Sequence, residues 1–289
     1  MKLFNLSKEQ TGGLYFSLLI SLYCVVLFIG QSIIMACVTE NTFGFYALSY
    51  ALPLIALSLC VILHGKKNAP VFSKPIINKN LRITIPISLI LAFGMFFGLG
   101  FVNGLVVNAF ESLGLKVNST NLIINGTLEY LFYILVVAIL PALLEELFFR
   151  KLLIDNFLSL GKPLAIILSA FLFAIYHASV SQLIYQFIYG LLLGLLYVKS
   201  KSELPSIFAH FINNFAVLSF TYFNVNINLS SPLLISLGLV ALVGGVVWLL
   251  LIDRKGEKLE PTGKKSQAVL YSGFGIFICL TLMIASLFM

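Results

Sequence analysis

Nine apolar windows of about 20 residues run through this chain, at roughly 12–37, 46–64, 82–103, 128–154, 163–179, 182–199, 204–222, 231–252 and 267–288. Such a window crosses the ~30 Å hydrocarbon layer as a helix. In hydrocarbon every backbone N–H and C=O must be bonded within the protein, which favours helices over open strands. The expected fold is all-α: a polytopic transmembrane helical bundle of eight or nine spans. With 60% hydrophobic and 10% charged residues, the chain is far from the balance of a soluble domain.

The net charge of +7 would suggest nucleic acid in a soluble protein. Its distribution points to a membrane instead. With the N-terminus on the cytoplasmic side, the inside segments collect every Lys and Arg of the chain except Lys116. A wrong span count would scramble that parity, so the charges support nine spans with the N-terminus inside. The expected location is the cell membrane, as a multi-pass protein with lipids as partners and no nucleic acid. The first apolar run, about 14–38, is too long for a signal-peptide core and is expected to remain as a span. Cys24, Cys37, Cys60 and Cys279 lack metal or disulfide spacing and read as small buried hydrophobes.

The chain divides by its motifs into 1–127 (three spans), 128–222 (a core of four) and 223–289 (two spans). The charged 253–265 stretch reads as a flexible connector to a detachable final helix. Asn118 and Asn125 begin glycosylation sequons on the expected outer loop. Gly94/Gly98 and Gly190/Gly194 read as close helix packing.

The chemistry concentrates in the core. Glu145 and Glu146 lie side by side in an apolar helix, where an unpaired ionised carboxylate is costly. Arg150 follows Glu146 by one turn, in the favourable acid-first order. Glu145 sits ~100° away around the helix and needs water or a group from another helix. Pro141 removes a backbone donor four residues before Glu145, which frees the carbonyl of Val137. Phe173 and His177 share a face of the next span. Glu145 and His177 flank the Gly161 turn at equal sequence distance, so an antiparallel hairpin brings them level, provided the fourth helix runs past the membrane surface. The seventh span carries His210 and Asn214 on one face, with Asn213 beside them. His64 reads as interfacial, and Glu129 as solvated near the outer end of the fourth span. A carboxylate, two imidazoles and an amide are the parts of a hydrolytic site.

These residues resemble the CAAX-protease and bacteriocin-processing (Abi) family of intramembrane endopeptidases. Its Glu-Glu-x-x-x-Arg motif is matched by Glu145, Glu146 and Arg150. Its Phe-x-x-x-His motif is matched by Phe173 and His177, and its His-x-x-x-Asn motif by His210 and Asn214. The resemblance implies that Glu145 and His177 activate a water, that His210 and Asn214 stabilise the oxyanion, and that Glu146 and Arg150 support the site. It implies a peptide or protein-tail substrate, prenylated or not, and roles such as CAAX-type processing or bacteriocin maturation and self-immunity. The family is commonly labelled metalloprotease. Glu145, His177 and His210 could bind zinc, but no histidine here is followed by Glu as in the zinc-protease signature. A metal-free, glutamate-activated water is equally coherent. Two other functions use the same residues: a non-catalytic immunity or scaffold protein, and a proton-coupled transporter with Glu145 and His177 as its relay.

Overall fold

The computed structural model describes residues 6–40, 42–67, 79–114, 124–225, 231–252 and 260–287. Lys116, the Asn118 sequon and most of the 253–265 connector lie outside the described residues. Nine helices form among those described: α1 (Lys8–Cys37), α2 (Phe43–Lys67), α3 (Asn80–Ser112), α4 (Thr127–Leu160), α5 (Lys162–Tyr176), α6 (Leu183–Ser200), α7 (Leu204–Tyr222), α8 (Pro232–Leu251) and α9 (Lys265–Ala285). The all-helical fold expected from the apolar windows is present.

Seven of the nine are long and apolar enough to cross a membrane: all except α5 and α7. The nine windows read from the sequence are all helical, and α5 and α7 fall below the length or hydropathy of the rest. The α5 helix has only 15 residues and stops at Tyr176, short of the 163–179 window. Its partner α7 has 19 residues, but His210, Asn213 and Asn214 lower its hydropathy. The two helices that carry the site's histidines are therefore the two least suited to face lipid.

The outer helices pack through small residues. A Cβ on Gly13 of α1 would stand 2.8 Å from the Ala268 carbonyl oxygen of α9. Ser17 donates its hydroxyl to the Tyr271 carbonyl at 2.7 Å and accepts the Gly275 N–H at 3.3 Å. At the start of this pair, Glu9 accepts hydrogen bonds from Ser159 and from the Lys264 N–H, both at 3.1 Å. The α9 helix is thus docked along α1, and the reading of it as detachable is corrected. Small residues let the backbones approach where lipid offers no hydrophobic drive for association. Between α3 and α8, a Cβ on Gly238 would meet the Gly98 nitrogen at 2.5 Å, and one on Gly94 the Leu242 nitrogen at 2.6 Å. On α6, a Cβ at Gly190 would lie 3.0 Å from Ala170 Cα, and one at Gly194 3.0 Å from Ile166. Both glycine pairs serve close packing, as the sequence suggested.

Two other expectations change. His64 is buried and meets the Tyr15 ring edge-on at 4.9 Å, so it faces the bundle rather than the interface. Cys60 and Cys279 are buried, but Cys24 is only partly so and Cys37 is exposed at the end of α1.

The α4 helix is the axis of the core. It has 34 residues, about 51 Å at 1.5 Å per residue, longer than the ~30 Å hydrocarbon thickness. It is broken by two π-helical turns, Ile134–Ile139 and Leu147–Ile154, on either side of Pro141–Glu146. At its far end Lys151 pairs with Glu203 at 2.9 Å, and Tyr197 donates to Asp155 at 2.7 Å. These contacts tie α4 to the α6–α7 turn. Gly161 (φ 91°) makes the reversal into α5, a left-handed conformation that suits glycine. At its near end Glu129 is half-buried and accepts the Asn125 N–H at 2.8 Å.

Candidate active site

Glu146 and Arg150 are both fully buried. Arg150 Nε donates to one carboxylate oxygen at 3.0 Å and a terminal nitrogen to the other at 3.3 Å. The planar fork suits bidentate binding and keeps the ion pair well bonded away from water. Its other terminal nitrogen reaches Ser169 at 3.4 Å, and Ser169 donates to the Phe149 carbonyl at 2.6 Å. The guanidinium carbon lies 4.8 Å from the centre of the Phe173 ring, a cation–π contact. The i, i+4 pair read from the sequence is present, and Phe173 and Ser169 complete its surroundings. Ser169 lies four residues before Phe173 on α5, a spacing that offered a signal for it.

His210 stands between the two glutamates. Its Nδ1 lies 3.1 Å from Glu146 Oε1, and its Nε2 lies 3.8 Å from Glu145 Oε2. A carboxylate paired with arginine is an acceptor only, so Nδ1 carries the proton toward Glu146. Glu145 is 8% exposed, and its Oε2 is sealed from solvent with no hydrogen-bond partner. The carboxylate left without an in-helix partner faces an imidazole across a gap too wide for a direct hydrogen bond.

His177 caps the C-terminal end of α5. Its Nδ1 lies 2.9 Å from the Phe173 carbonyl. A carbonyl can only accept, so Nδ1 carries the hydrogen and Nε2 stays free. The His177 ring also meets Phe173 at 4.7 Å and Tyr176 at 5.6 Å. No hydrogen bond or ion pair joins His177 to Glu145; the imidazole beside Glu145 is that of His210.

Asn214 donates its side-chain nitrogen to the Val137 carbonyl at 3.2 Å. This is the carbonyl that Pro141 cannot serve. The sequence identified the freed acceptor, and the structure supplies its donor from α7. Asn213 accepts the Tyr185 hydroxyl at 3.1 Å. Tyr189, one turn further along α6, places its ring edge-to-face with His210 at 5.4 Å. Both tyrosines went unnoticed in the sequence, although their i, i+4 spacing puts them on one helix face. Tyr176 and Tyr23 pack together at 5.6 Å and lie within electrostatic reach of Glu145.

Among the described residues no group of three or more His, Cys, Asp and Glu side chains is placed to hold an ion. His210 Nδ1 is held by Glu146 and His177 Nδ1 by Phe173. Each ring keeps its Nε2 unengaged, as a ligating histidine would, but Glu145, His177 and His210 are not gathered into such a group.

Residues 127–216 match the family model described as Rce1-like, type II CAAX prenyl endopeptidase. This segment is similar to the CAAX-protease family. It runs from the first residue of α4 into α7 and includes Glu145, Glu146, Arg150, Phe173, His177, His210, Asn213 and Asn214. No curated protein and no solved structure matches the chain. The matched segment lies in a protein that is all-helical among its described residues, with several helices long and apolar enough to cross a membrane.

Proposed function

We propose that the chain is an intramembrane endopeptidase that hydrolyses peptide bonds in membrane-associated peptides or protein tails with a glutamate-activated water. The observation that carries this reading is the unpartnered Glu145 Oε2 facing His210 Nε2 at 3.8 Å, with Glu146 and Arg150 behind the imidazole. Arg150 neutralises Glu146. A proton on His210 Nε2 balances the Glu145 carboxylate, so the buried group carries no net charge.

With that proton on His210, Glu145 is the base. A water between Glu145 and His177 Nε2 attacks the scissile carbonyl carbon, and its proton passes to Glu145. The new C–O bond turns the carbonyl oxygen into an oxyanion, which accepts the hydrogen bond of His210 Nε2–H. Glu145 then gives its proton to the amide nitrogen, the C–N bond breaks, and an amine and a carboxylic acid leave. Glu146 holds the His210 ring, and Asn214 holds the break in α4 that precedes Glu145.

The basic connections support an N-terminus in the cytoplasm and cleavage at the cytoplasmic leaflet of the cell membrane. CAAX-type tails and small secreted peptides, including bacteriocins, are the substrate classes to try first. The test is cleavage by the full chain in lipid vesicles, with fluorogenic peptides of both classes, prenylated and plain. Glu145→Gln and His177→Ala are expected to lower the rate by about 10²–10⁴-fold, with Lys116→Ala unchanged. Equal cleavage by wild type and both site variants would remove the mechanism. Absence of cleavage by folded wild type, with function in cells intact, would favour a non-catalytic role.

A further inference from the structure

Glu145 Oε2 is not the only buried atom beside His210 without a partner. The Tyr189 side chain is 1% exposed, and its hydroxyl is sealed from solvent with no hydrogen-bond partner. A buried hydroxyl left unbonded has lost its water without a replacement bond, so it calls for an explanation. The ring supports both neighbours of the site: it meets His210 edge-to-face at 5.4 Å and 90°, and Phe173 at 6.4 Å. It stacks on Tyr185 at 5.8 Å, whose hydroxyl is already used by Asn213. Tyr189 also lies within electrostatic reach of Glu145, Glu146 and Arg150. The resting site thus holds an unbonded acceptor and an unbonded donor near one imidazole. Attack on a peptide carbonyl needs both: an acceptor for the water's proton and a donor for the oxyanion.

We infer that the Tyr189 hydroxyl is a catalytic donor, hydrogen-bonding the carbonyl oxygen of the scissile bond as it becomes an oxyanion, beside His210. The inference rests on the proteolytic reading above. A phenol keeps its proton across the neutral range, so it serves as a donor beside His210 Nε2–H.

Tyr133 provides an internal control. Its hydroxyl is also buried and unpartnered, but its ring packs among Phe43, Tyr50 and Phe132. Tyr189→Phe and Tyr133→Phe each delete one oxygen from an otherwise filled site. Both variants are expected to raise the unfolding midpoint slightly in the full chain. Only Tyr189→Phe should lower kcat, by about 10²-fold as for other oxyanion donors, with KM little changed. It should weaken binding of a peptide phosphonamidate, which mimics the tetrahedral intermediate, by a similar factor. A Tyr189→Phe enzyme with wild-type kcat and phosphonamidate affinity overturns the assignment. So does a lowered unfolding midpoint, which would mean that the hydroxyl has a partner in the protein. If wild type cleaves no peptide, the proteolytic reading fails first, and that failure is visible without either variant.

Discussion

The seams between the outer helices and the core around α4 solve the same problem in opposite ways. Along α1–α9 and α3–α8 the contacts are close approaches of backbone, through Gly13, Gly275, Gly98 and Gly238, with the Ser17 hydroxyl as a polar element of the first. Around α4 the backbone is broken by a proline and two π-helical turns, and the contacts are a buried ion pair, two histidines and an amide. The seams depend on shape and tolerate no added volume. The core depends on completed polar bonds, and near His210 it leaves two atoms unbonded. A seam stabilises the bundle, whereas the core leaves buried polar atoms unbonded at a cost in stability.

Arg150→Ala tests that difference most severely. It leaves the Glu146 carboxylate buried without its fork, a loss expected to cost about 3–5 kcal/mol. Denaturant unfolding of the full chain in detergent or nanodiscs would measure it. If charge pairing is the cause, Glu146→Gln combined with Arg150→Met should recover much of that stability while staying inactive, because His210 keeps an acceptor but loses the carboxylate charge behind it. A double variant no more stable than Arg150→Ala would mean that packing on Phe173 and Ser169 matters more than charge.

Gly238→Val probes the other kind of region. The added side chain would meet the Gly98 backbone, and forcing α3 and α8 apart is expected to cost about 1–3 kcal/mol. Cleavage per folded molecule should stay near wild type, because neither helix supplies a site residue. A large fall in kcat among folded molecules would show that the seam sets the geometry of the core, and the contrast between the regions would narrow.

The features that sequence reading recovered were local ones. Glu146 and Arg150 are one turn apart on one helix, and Phe173 and His177 likewise, so spacing alone placed them. Pro141 announced the free Val137 carbonyl by its missing N–H. Which histidine faces Glu145 depends on how α4 and α7 cross. The π-helical turns in α4 rotate the residues beyond them off the 3.6-residue period, so no periodic count could give that face. Level positions along the α4–α5 hairpin pointed to His177, and only the fold shows that His210 Nε2 also lies 3.8 Å from Glu145 Oε2. The docking of α9 was hidden for another reason. Gly13 and Ser17 carry the small-residue spacing of a packing face, but nothing in the chain names the helix they receive.

The smallest effect separates two roles for Asn214. Its amide nitrogen bonds the Val137 carbonyl in the resting structure, whereas the family resemblance assigns it to the oxyanion. Asn214→Ala removes either contribution, so the single variant is ambiguous: it should lose about 1 kcal/mol of stability and much of its activity. Pro141→Ala returns a backbone N–H where α4 lacks one, and an alanine there can serve Val137 from within the helix. If Asn214 acts by positioning, Asn214→Ala should cost little further stability in the Pro141→Ala background, and kcat should not fall again. A double-mutant cycle on unfolding and on kcat measures both couplings. Coupling in stability but full additivity in kcat would return Asn214 to the oxyanion, leaving the Val137 bond as a feature of the resting state. Coupling in both is the expected result, since one amide hydrogen bond at the break then accounts for the stability and for the aim of Glu145 one turn later.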